Sequence, residues 1–372
     1  MQDLARFLAS SAAVLAAAGT SDAADAILVE PEPIEYMRVC DVFGAGYFYI
    51  PGTETCIRFS GQVRVDWAVK HYHEEQDDET SAHETRYRGR LEVSAKNNTE
   101  WGELESRVQI KGQETSNQGT DTGGGHNDEL SVPEGPNDAS VVVDRAVISL
   151  AGFQLGYDDD YWKRAGNDGW YVSNSRFEGP YGDYDGLFIE YTYSANGLAV
   201  TIGTEDGSES GVPGMPDPYA GLTYSAGGLY LAAIAYYDSS TRSGAYKGRF
   251  DYDFGEAWSG LKVGGWYAWD GGRTDYVMGH ALGLTAQVDL ARSVILFGGY
   301  GIYDNQFANM PNECTGEDCE SNLDNSGHQW KVGLQWEPVA NLFVLPEYEA
   351  TIYKDPGQQN YGFFNFRVLR TF

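Results

Sequence analysis

The chain has 372 residues and a formal net charge of −30, from 55 acidic and 25 basic side chains. This balance argues against nucleic acid as a partner, because nucleic-acid-binding proteins carry clusters of Lys and Arg. Beyond the N-terminal region no run of eighteen apolar residues exists, which excludes a protein that crosses a membrane with helices. Composition does not separate a membrane β-barrel, in which only alternate residues face lipid, from a secreted soluble β-protein.

Residues 1–23 are predicted to be a secretory signal that is removed from the mature protein. An apolar stretch over Phe7–Gly19 is followed by Ser21-Asp22-Ala23, with small residues where a signal peptidase would cut. The positive charge before the apolar stretch is weak, so an N-terminal helix that stays attached is the alternative. Residues 24–56 then form an N-terminal segment on the periplasmic side.

Four cysteines indicate an oxidising compartment and allow three pairings. We expect neighbours to pair. Cys40 with Cys56 would tie the N-terminal segment to the first strand, and Cys314 with Cys319 would clip the tip of a hairpin. The alternative is a zinc site, but the sequence has no Cys-x-x-Cys pair, and no metal is predicted.

Residues 57–372 are predicted to form one sixteen-stranded antiparallel transmembrane β-barrel. Along the chain, long polar connectors alternate with short connectors that contain Gly and Asn. This alternation is typical of a membrane barrel with loops at one rim and tight turns at the other. An even strand count puts both ends of the barrel at the rim of short turns, which is periplasmic in a bacterial outer membrane. The predicted strands are Ile57–Lys70, Thr85–Asn97, Trp101–Lys111, Ser140–Leu150, Phe153–Asp158, Gly186–Ser194, Leu198–Glu205, Tyr219–Ser225, Leu229–Asp238, Ala245–Phe254, Leu261–Trp269, Tyr276–Asp289, Ser293–Asp304, Gly327–Trp336, Asn341–Tyr353 and Tyr361–Phe372.

The early strands each have a basic, polar face and an apolar face, because side chains alternate along a strand. A charge facing the centre of a bilayer costs about 2–4 kcal/mol, so we expect the polar faces to point inward. A lumen of sixteen strands is too wide for side chains to fill and must hold water. The basic residues expected on the pore wall are Arg58, Arg64, Arg86, Arg88, Arg90 and Arg107.

Aromatic residues fall near the predicted strand ends, as in the interfacial girdles of membrane barrels. The alternative is the ordinary preference of aromatic residues for strands. The residues concerned are Trp67, Trp101, Tyr191, Tyr193, Tyr236, Tyr237, Trp258, Trp266, Tyr300, Tyr303, Trp330 and Trp336.

The segment Tyr36–Arg58 reads YMRVCDVFGAGYFYIPGTETCIR and resembles the N-terminal signature of the alphaproteobacterial general porins, which include the rhizobial and brucella-type porins. Ala24-Asp25-Ala26-Ile27, the Glu-Pro-Glu-Pro segment at 30–33 and the terminal Phe372 are also similar. The resemblance implies a sixteen-stranded trimeric diffusion channel in the bacterial outer membrane. It implies a homotrimer, with outer-membrane lipid and lipopolysaccharide around it.

The third long connector, residues 158–185, is expected to fold into the lumen, as it does in porins that this chain resembles. Its acids would face the basic wall across a narrow neck, and rings of charge set ion preference. We therefore expect a cation-preferring pore. The alternative is that these acids point to solvent at the outer rim. The acids concerned are Asp158, Asp159, Asp160, Asp168, Glu178, Asp183 and Asp185.

The predicted function is passive diffusion of small hydrophilic solutes and ions, without a cofactor. No Gly-x-Ser-x-Gly elbow occurs, and no partner is legible for His280 or His328, so we do not expect an enzyme. His71, His73 and His83 are interpreted as part of a solvated acidic loop, with a divalent-metal site as the alternative.

Two other functions stay open. One is a channel selective for one solute class, such as sugars. It would use aromatic residues of the third connector: Trp162, Trp170, Tyr171 and Tyr181. The other is a plugged structural or adhesive barrel. Conductance in a planar bilayer separates an open channel from a plugged barrel, and competition by sugars separates a general channel from a selective one.

Overall fold

The protein is described from a computed structural model, which covers residues 38–72, 81–118, 138–166, 185–206, 216–239, 242–274, 277–305, 326–354 and 360–372. These residues form seventeen strands and one short α-helix. Among them, no helix is long and apolar enough to cross a membrane. The elements are β1 Phe48–Tyr49, β2 Cys56–Tyr72, β3 Ser81–Thr99, β4 Gly102–Gln118, β5 Asp138–Leu150, β6 Phe153–Asp159, α1 Tyr161–Gly166, β7 Asp185–Ala195, β8 Leu198–Glu205, β9 Asp217–Ala226, β10 Leu229–Asp238, β11 Ser243–Asp253, β12 Lys262–Thr274, β13 Val277–Ala291, β14 Val294–Asn305, β15 Gly327–Val339, β16 Leu342–Tyr353 and β17 Tyr361–Thr371.

Strands β2 to β17 form a closed antiparallel barrel of sixteen strands. Each strand pairs with its sequence neighbours, and β17 pairs with β2 to close the ring, with Arg367 opposite Asp66. Every predicted strand overlaps one of these sixteen, so the predicted fold class is confirmed. The barrel abolishes free sheet edges, which a membrane cannot hydrate.

Short turns join the strands at one rim, and their sequences explain the sharp reversals. Asn196 and Gly197 between β7 and β8 both have positive φ, at 52° and 80°, which is the geometry of a two-residue hairpin turn. By the usual orientation of bacterial barrels this rim is periplasmic. At the other rim most connectors are longer, except those between β10 and β11 and between β12 and β13, and most of their residues lie outside the described ranges.

The segment before β2 folds back onto the barrel and is covalently fixed there. A disulfide joins Cys40 to Cys56, with 6.1 Å between their Cα atoms, which confirms this predicted pairing. β1 pairs with the start of β2, on the edge of β2 that β17 leaves uncovered beyond Phe372. Cys314 and Cys319 lie outside the described residues.

Candidate functional site

The inner face of the barrel is polar and the outer face is apolar. In β3, Arg86 and Arg88 are 2% and 4% exposed, whereas Tyr87 between them is 56% exposed. The same alternation continues in β17, where Asn365 and Arg367 are buried and Phe364 is exposed. Charged side chains therefore line the lumen and apolar ones face lipid, as the alternation predicts.

Strands β2 to β5 and β17 form what we call the arginine wall, which carries the six predicted basic residues. Where β17 pairs with β2, at the seam of the barrel, Asp66 contacts two arginines of this wall. Arg64 Nε lies 2.9 Å from Asp66 Oδ2, and Arg367 Nε donates to Asp66 Oδ1 at 2.7 Å. Next to them, Arg86 Nη2 lies 3.0 Å from Glu84 Oε1. These arginines are thus held rigidly against the wall.

The remaining predicted arginines also contact wall residues. Arg88 Nε donates to Gln113 Oε1 at 2.6 Å, and Arg90 Nε lies 3.0 Å from Asp144 Oδ2. The other two lie nearer the rim of short turns. Arg58 stacks over the ring of Tyr47 with 4.9 Å to its centroid, and Arg107 Nε lies 3.8 Å from Glu105 Oε1.

The predicted acids of the third connector are placed differently from the expectation. Asp158 and Asp159 belong to β6, and Asp185 opens β7 opposite Asp159, so the connector itself begins at Asp160. Hydrogen bonding between β6 and β7 extends further along the chain than the weak alternation indicated. Asp168, Glu178 and Asp183 lie outside the described residues, as do Trp170, Tyr171 and Tyr181.

Asp158, Asp159 and Asp160, at the end of β6 and the start of the connector, each have local partners. Arg145 Nε donates to Asp158 Oδ1 at 2.7 Å, and Lys163 Nζ lies 3.1 Å from Asp159 Oδ1. Asp160 caps helix α1, because its Oδ1 accepts the backbone N–H of Lys163 at 2.9 Å. Their charges are therefore compensated locally or used to begin the helix.

Helix α1 lies on the inner surface of strands β9 to β11, and we call the inner face of strands β7 to β14 the aromatic wall. Its Tyr161 and Trp162 are buried in one cluster with Tyr219, Tyr236 and Trp266 of the strands. The rings of Tyr161 and Tyr219 stack with centroids 5.1 Å apart. Trp162 is 3% exposed, so it is part of this cluster and does not line a path for sugars.

A glycine on the aromatic wall lets the helix approach this closely. The Tyr161 ring lies directly on Gly221 of β9, and a Cβ added there would collide with the ring. Glycine thus leaves room on the strand for an aromatic ring to lie flat against the backbone.

A buried ion pair fixes α1 to the wall. Arg164 Nη1 and Nη2 donate to Glu190 Oε1 and Oε2 at 2.8 and 2.9 Å, and Tyr219 donates to Oε2 at 2.7 Å. Burial disfavours the charged guanidinium, but the hydrogen bonds and charge of Glu190 outweigh it and raise the pKa of Arg164. Such a two-pronged contact fixes orientation as well as position.

Two tyrosines of β10 bind the helix backbone. The backbone N–H of Trp162 donates to the hydroxyl of Tyr236 at 3.2 Å, and Tyr230 donates to the carbonyl oxygen of Ala165 at 2.7 Å. Tyr236 in turn donates to Glu205 at 3.1 Å. The helix is therefore held at both ends by groups on one strand.

Sequence reasoning missed this wall because it assigned several of its aromatics to the membrane girdle. Tyr236, Trp266 and Tyr303 are buried inside the barrel, and only 4%, 5% and 8% of their surfaces are exposed. Tyr236 and Tyr237 are adjacent in β10 and must face opposite sides, so they could not both belong to the girdle. The signal for α1 was also present, since an Asp160 cap precedes a short run of helix formers.

The two walls face each other across the lumen. β10, which contacts α1, is the eighth strand from β2 in both directions around the ring. The lumen therefore has charged side chains on one side and the covered aromatic wall on the other.

Comparisons with known proteins agree with this architecture. A family model described as a porin subfamily matches residues 25–363. The chain is 35% identical over 268 residues to porin Omp2a of Brucella ovis, covering 68% of this chain and 75% of that protein. It is 34% identical to porin Omp2b of Brucella suis biovar 1, covering 68% of this chain and 70% of the relative. The crystal structure of the outer membrane channel DcaP of Acinetobacter baumannii is similar in fold, with a TM-score of 0.61 at 11% identity, over 87% of this chain and 99% of that one.

Proposed function

The chain belongs to the porin subfamily, and from that premise we propose that it is a passive, cation-preferring diffusion channel for small hydrophilic solutes and ions. Family membership makes it a channel of the bacterial outer membrane rather than an enzyme. Passive diffusion, ion preference and the position of the constriction are the proposed parts.

The observation that carries the proposal is the inverted barrel, with buried charges inside and exposed apolar side chains outside. The paired residues Arg367 and Asp66 are 3% and 5% exposed, whereas Phe366 lies between two lumen-facing residues on the lipid side. Sixteen strands enclose more space than inward side chains can fill, which supports a water-filled path.

Cation preference is supported by the charge balance. The chain carries 55 acids against 25 bases, and the arginines of the described wall lie against acids or polar partners. Acids therefore offset part of the positive charge of the wall, and the excess negative charge of the chain raises the local concentration of cations.

The constriction is proposed to be the connector between β6 and β7. Helix α1, its first turn, packs on inward-facing side chains such as Tyr219 and Tyr236. A connector that begins inside the barrel supports a narrowing by residues 167–184, which lie outside the described ranges.

Single-channel recording in a planar bilayer tests the proposal. Under a tenfold KCl gradient we expect a reversal potential of the sign that marks K⁺ as the more permeant ion. A potential of the opposite sign would overturn the cation preference. A folded protein that inserts without conducting would be a plugged barrel, and block of the current by added sugars would indicate a solute-selective channel.

The same proposal includes processing and assembly. We expect the mature chain to begin at Ala24 after removal of residues 1–23, and the channel to be a homotrimer that contacts lipopolysaccharide. N-terminal sequencing of protein isolated from outer membranes tests the first point. The mass of the detergent-solubilised complex, with and without added lipopolysaccharide, tests the others.

A further inference from the structure

The outer face of the barrel has an apolar groove of ≈ 540 Å³ across strands β9 to β13. Its sides are formed by Leu222, Leu231, Phe250, Tyr267 and Leu284, all of them partly exposed. These side chains belong to the face that contacts lipid, so the groove opens onto the hydrocarbon layer of the membrane.

Small residues at matching register positions create the floor of the groove. Ala233 pairs with Leu222 on one side and with Gly248 on the other, and Gly248 pairs with Tyr267. A Cβ added at Gly248 would meet no heavy atom within 4 Å. Two small residues thus lie side by side between two large ones, and the space above them is open.

One end of the groove is polar. Tyr267 and His280 are hydrogen-bonded, with 2.5 Å between the hydroxyl oxygen and Nδ1. Tyr246 stacks on Trp269 beside them, with ring centroids 5.2 Å apart. These residues lie toward the strand ends at the rim opposite the Asn196-Gly197 turn, where aromatic side chains with polar tips suit the headgroup level of a bilayer.

We propose that this groove binds one acyl chain of an outer-leaflet lipid, with the lipid head beside Tyr267 and His280. An empty groove in a bilayer would forfeit dispersion contacts along its lining, whereas a flexible chain can follow its floor. A second copy of the barrel is a less suitable occupant of the groove. Its convex outer surface would meet the large side chains of Leu222 and Tyr267 before it could contact Gly248. The inference rests on residence in the outer membrane and is independent of ion preference.

Photolabelling of the full-length protein tests this inference. The protein is reconstituted in phosphatidylethanolamine vesicles that contain a small fraction of lipid with a diazirine in its acyl chain, and labelled peptides are mapped by mass spectrometry. We expect labelling concentrated on the peptides of β10 to β12. Gly248→Leu should lower this labelling to the level seen elsewhere on the barrel, because its side chain fills the floor of the groove and removes the dispersion contacts that an acyl chain makes there.

The matched control is Gly89→Leu. Gly89 of β3 also faces outward with no heavy atom within 4 Å of an added Cβ, and it lies outside the groove. Its labelling pattern should equal that of the parent protein. Ala233→Leu fills the same floor from the neighbouring strand, so the test survives if Gly248→Leu does not fold. Even labelling around the barrel, or unchanged labelling in both filled variants, would overturn the proposal.

Discussion

The arginine wall and the aromatic wall have the same strand geometry but use their inward side chains differently. On the arginine wall, charged side chains pair with neighbours along and across strands, as with Arg90 and Asp144. On the aromatic wall, rings such as Tyr219 and Tyr236 are covered by helix α1. One wall thus places charged side chains along the lumen, while the other provides an aromatic surface on which the first turn of the connector packs.

The largest expected effect comes from detaching the helix from the aromatic wall. Arg164→Ala leaves Glu190, whose side chain is 2% exposed, without its guanidinium partner. Loss of one partner from a buried pair costs about 3–5 kcal/mol, so α1 should leave the wall. We expect a noisier open-channel current and faster protease cleavage in the segment 167–184.

Rescue and a matched control distinguish this effect from a simple change of charge. Glu190→Ala and the double variant should resemble Arg164→Ala, and the exchanged pair Arg164→Glu with Glu190→Arg should restore part of the quiet current. Arg90→Ala removes the same charge from the arginine wall without touching α1. Quiet currents in every variant of the pair would show that it does not hold the helix.

The next effect concerns the disulfide between Cys40 and Cys56, which lies beside the arginine wall. Cys40→Ser opens a disulfide loop with a sequence separation of 16 residues. Closing a loop of this size stabilises a folded chain by about 3 kcal/mol in the chain-entropy model. We expect a lower urea midpoint in vesicles, matched by the parent protein under reducing conditions. A variant with Ser at 314 and 319 is the control, and an unchanged midpoint in Cys40→Ser would contradict the prediction.

A smaller effect is expected at the far end of the helix. Tyr230→Phe removes the hydroxyl that binds the carbonyl oxygen of Ala165. A neutral hydrogen bond contributes about 0.5–1.5 kcal/mol, so the current should become slightly noisier than in the parent but far quieter than in Arg164→Ala. Tyr237→Phe, on the outer face of the same strand, should have no effect on noise. Equal noise in the Tyr230 and Arg164 variants would mean that the helix is not held mainly by its ion pair.

The smallest effect should come from one charge on the arginine wall. Arg90→Gln leaves Asp144 in contact with Lys111, so the wall should stay folded. One unit charge acting across several ångströms of water is worth about 0.5 kcal/mol, or roughly a twofold change in permeability ratio toward cations. The reversal potential in a KCl gradient measures it. Arg292→Gln at the exposed rim is the control. An equally large shift of the reversal potential in that variant would show that the effect does not come from the arginine wall.

The sequence was sufficient for the barrel and for the two faces of its charged strands, because alternation is a local property. Arg86 and Arg88 could be assigned to one face without knowing which strand lies beside them. The partners could not be predicted this way. The seam contact between Arg367 and Asp66 joins residues 301 positions apart and depends on the register with which the ring closes.

The aromatic wall was harder to predict for a different reason. Tyrosine and tryptophan suit both a membrane interface and a buried cluster, so residue type did not decide the side for Tyr236 or Trp266. Only the presence of α1 on the inner surface makes that burial favourable. The helix belongs to a connector, where the periodicity of side chains carries little information. Its ion pair joins Arg164 to Glu190, and most of that connector lies between these two residues in the sequence.

The short strand β1 has a consequence for how this protein behaves outside its membrane. β2 extends past the end of β17, and β1 occupies the row of backbone donors and acceptors that would otherwise be left open. An open row of this kind is a template on which a strand of another molecule can add. A shortened chain that begins at β2 should therefore associate in pairs through this edge during refolding, even though every strand of the ring is still present.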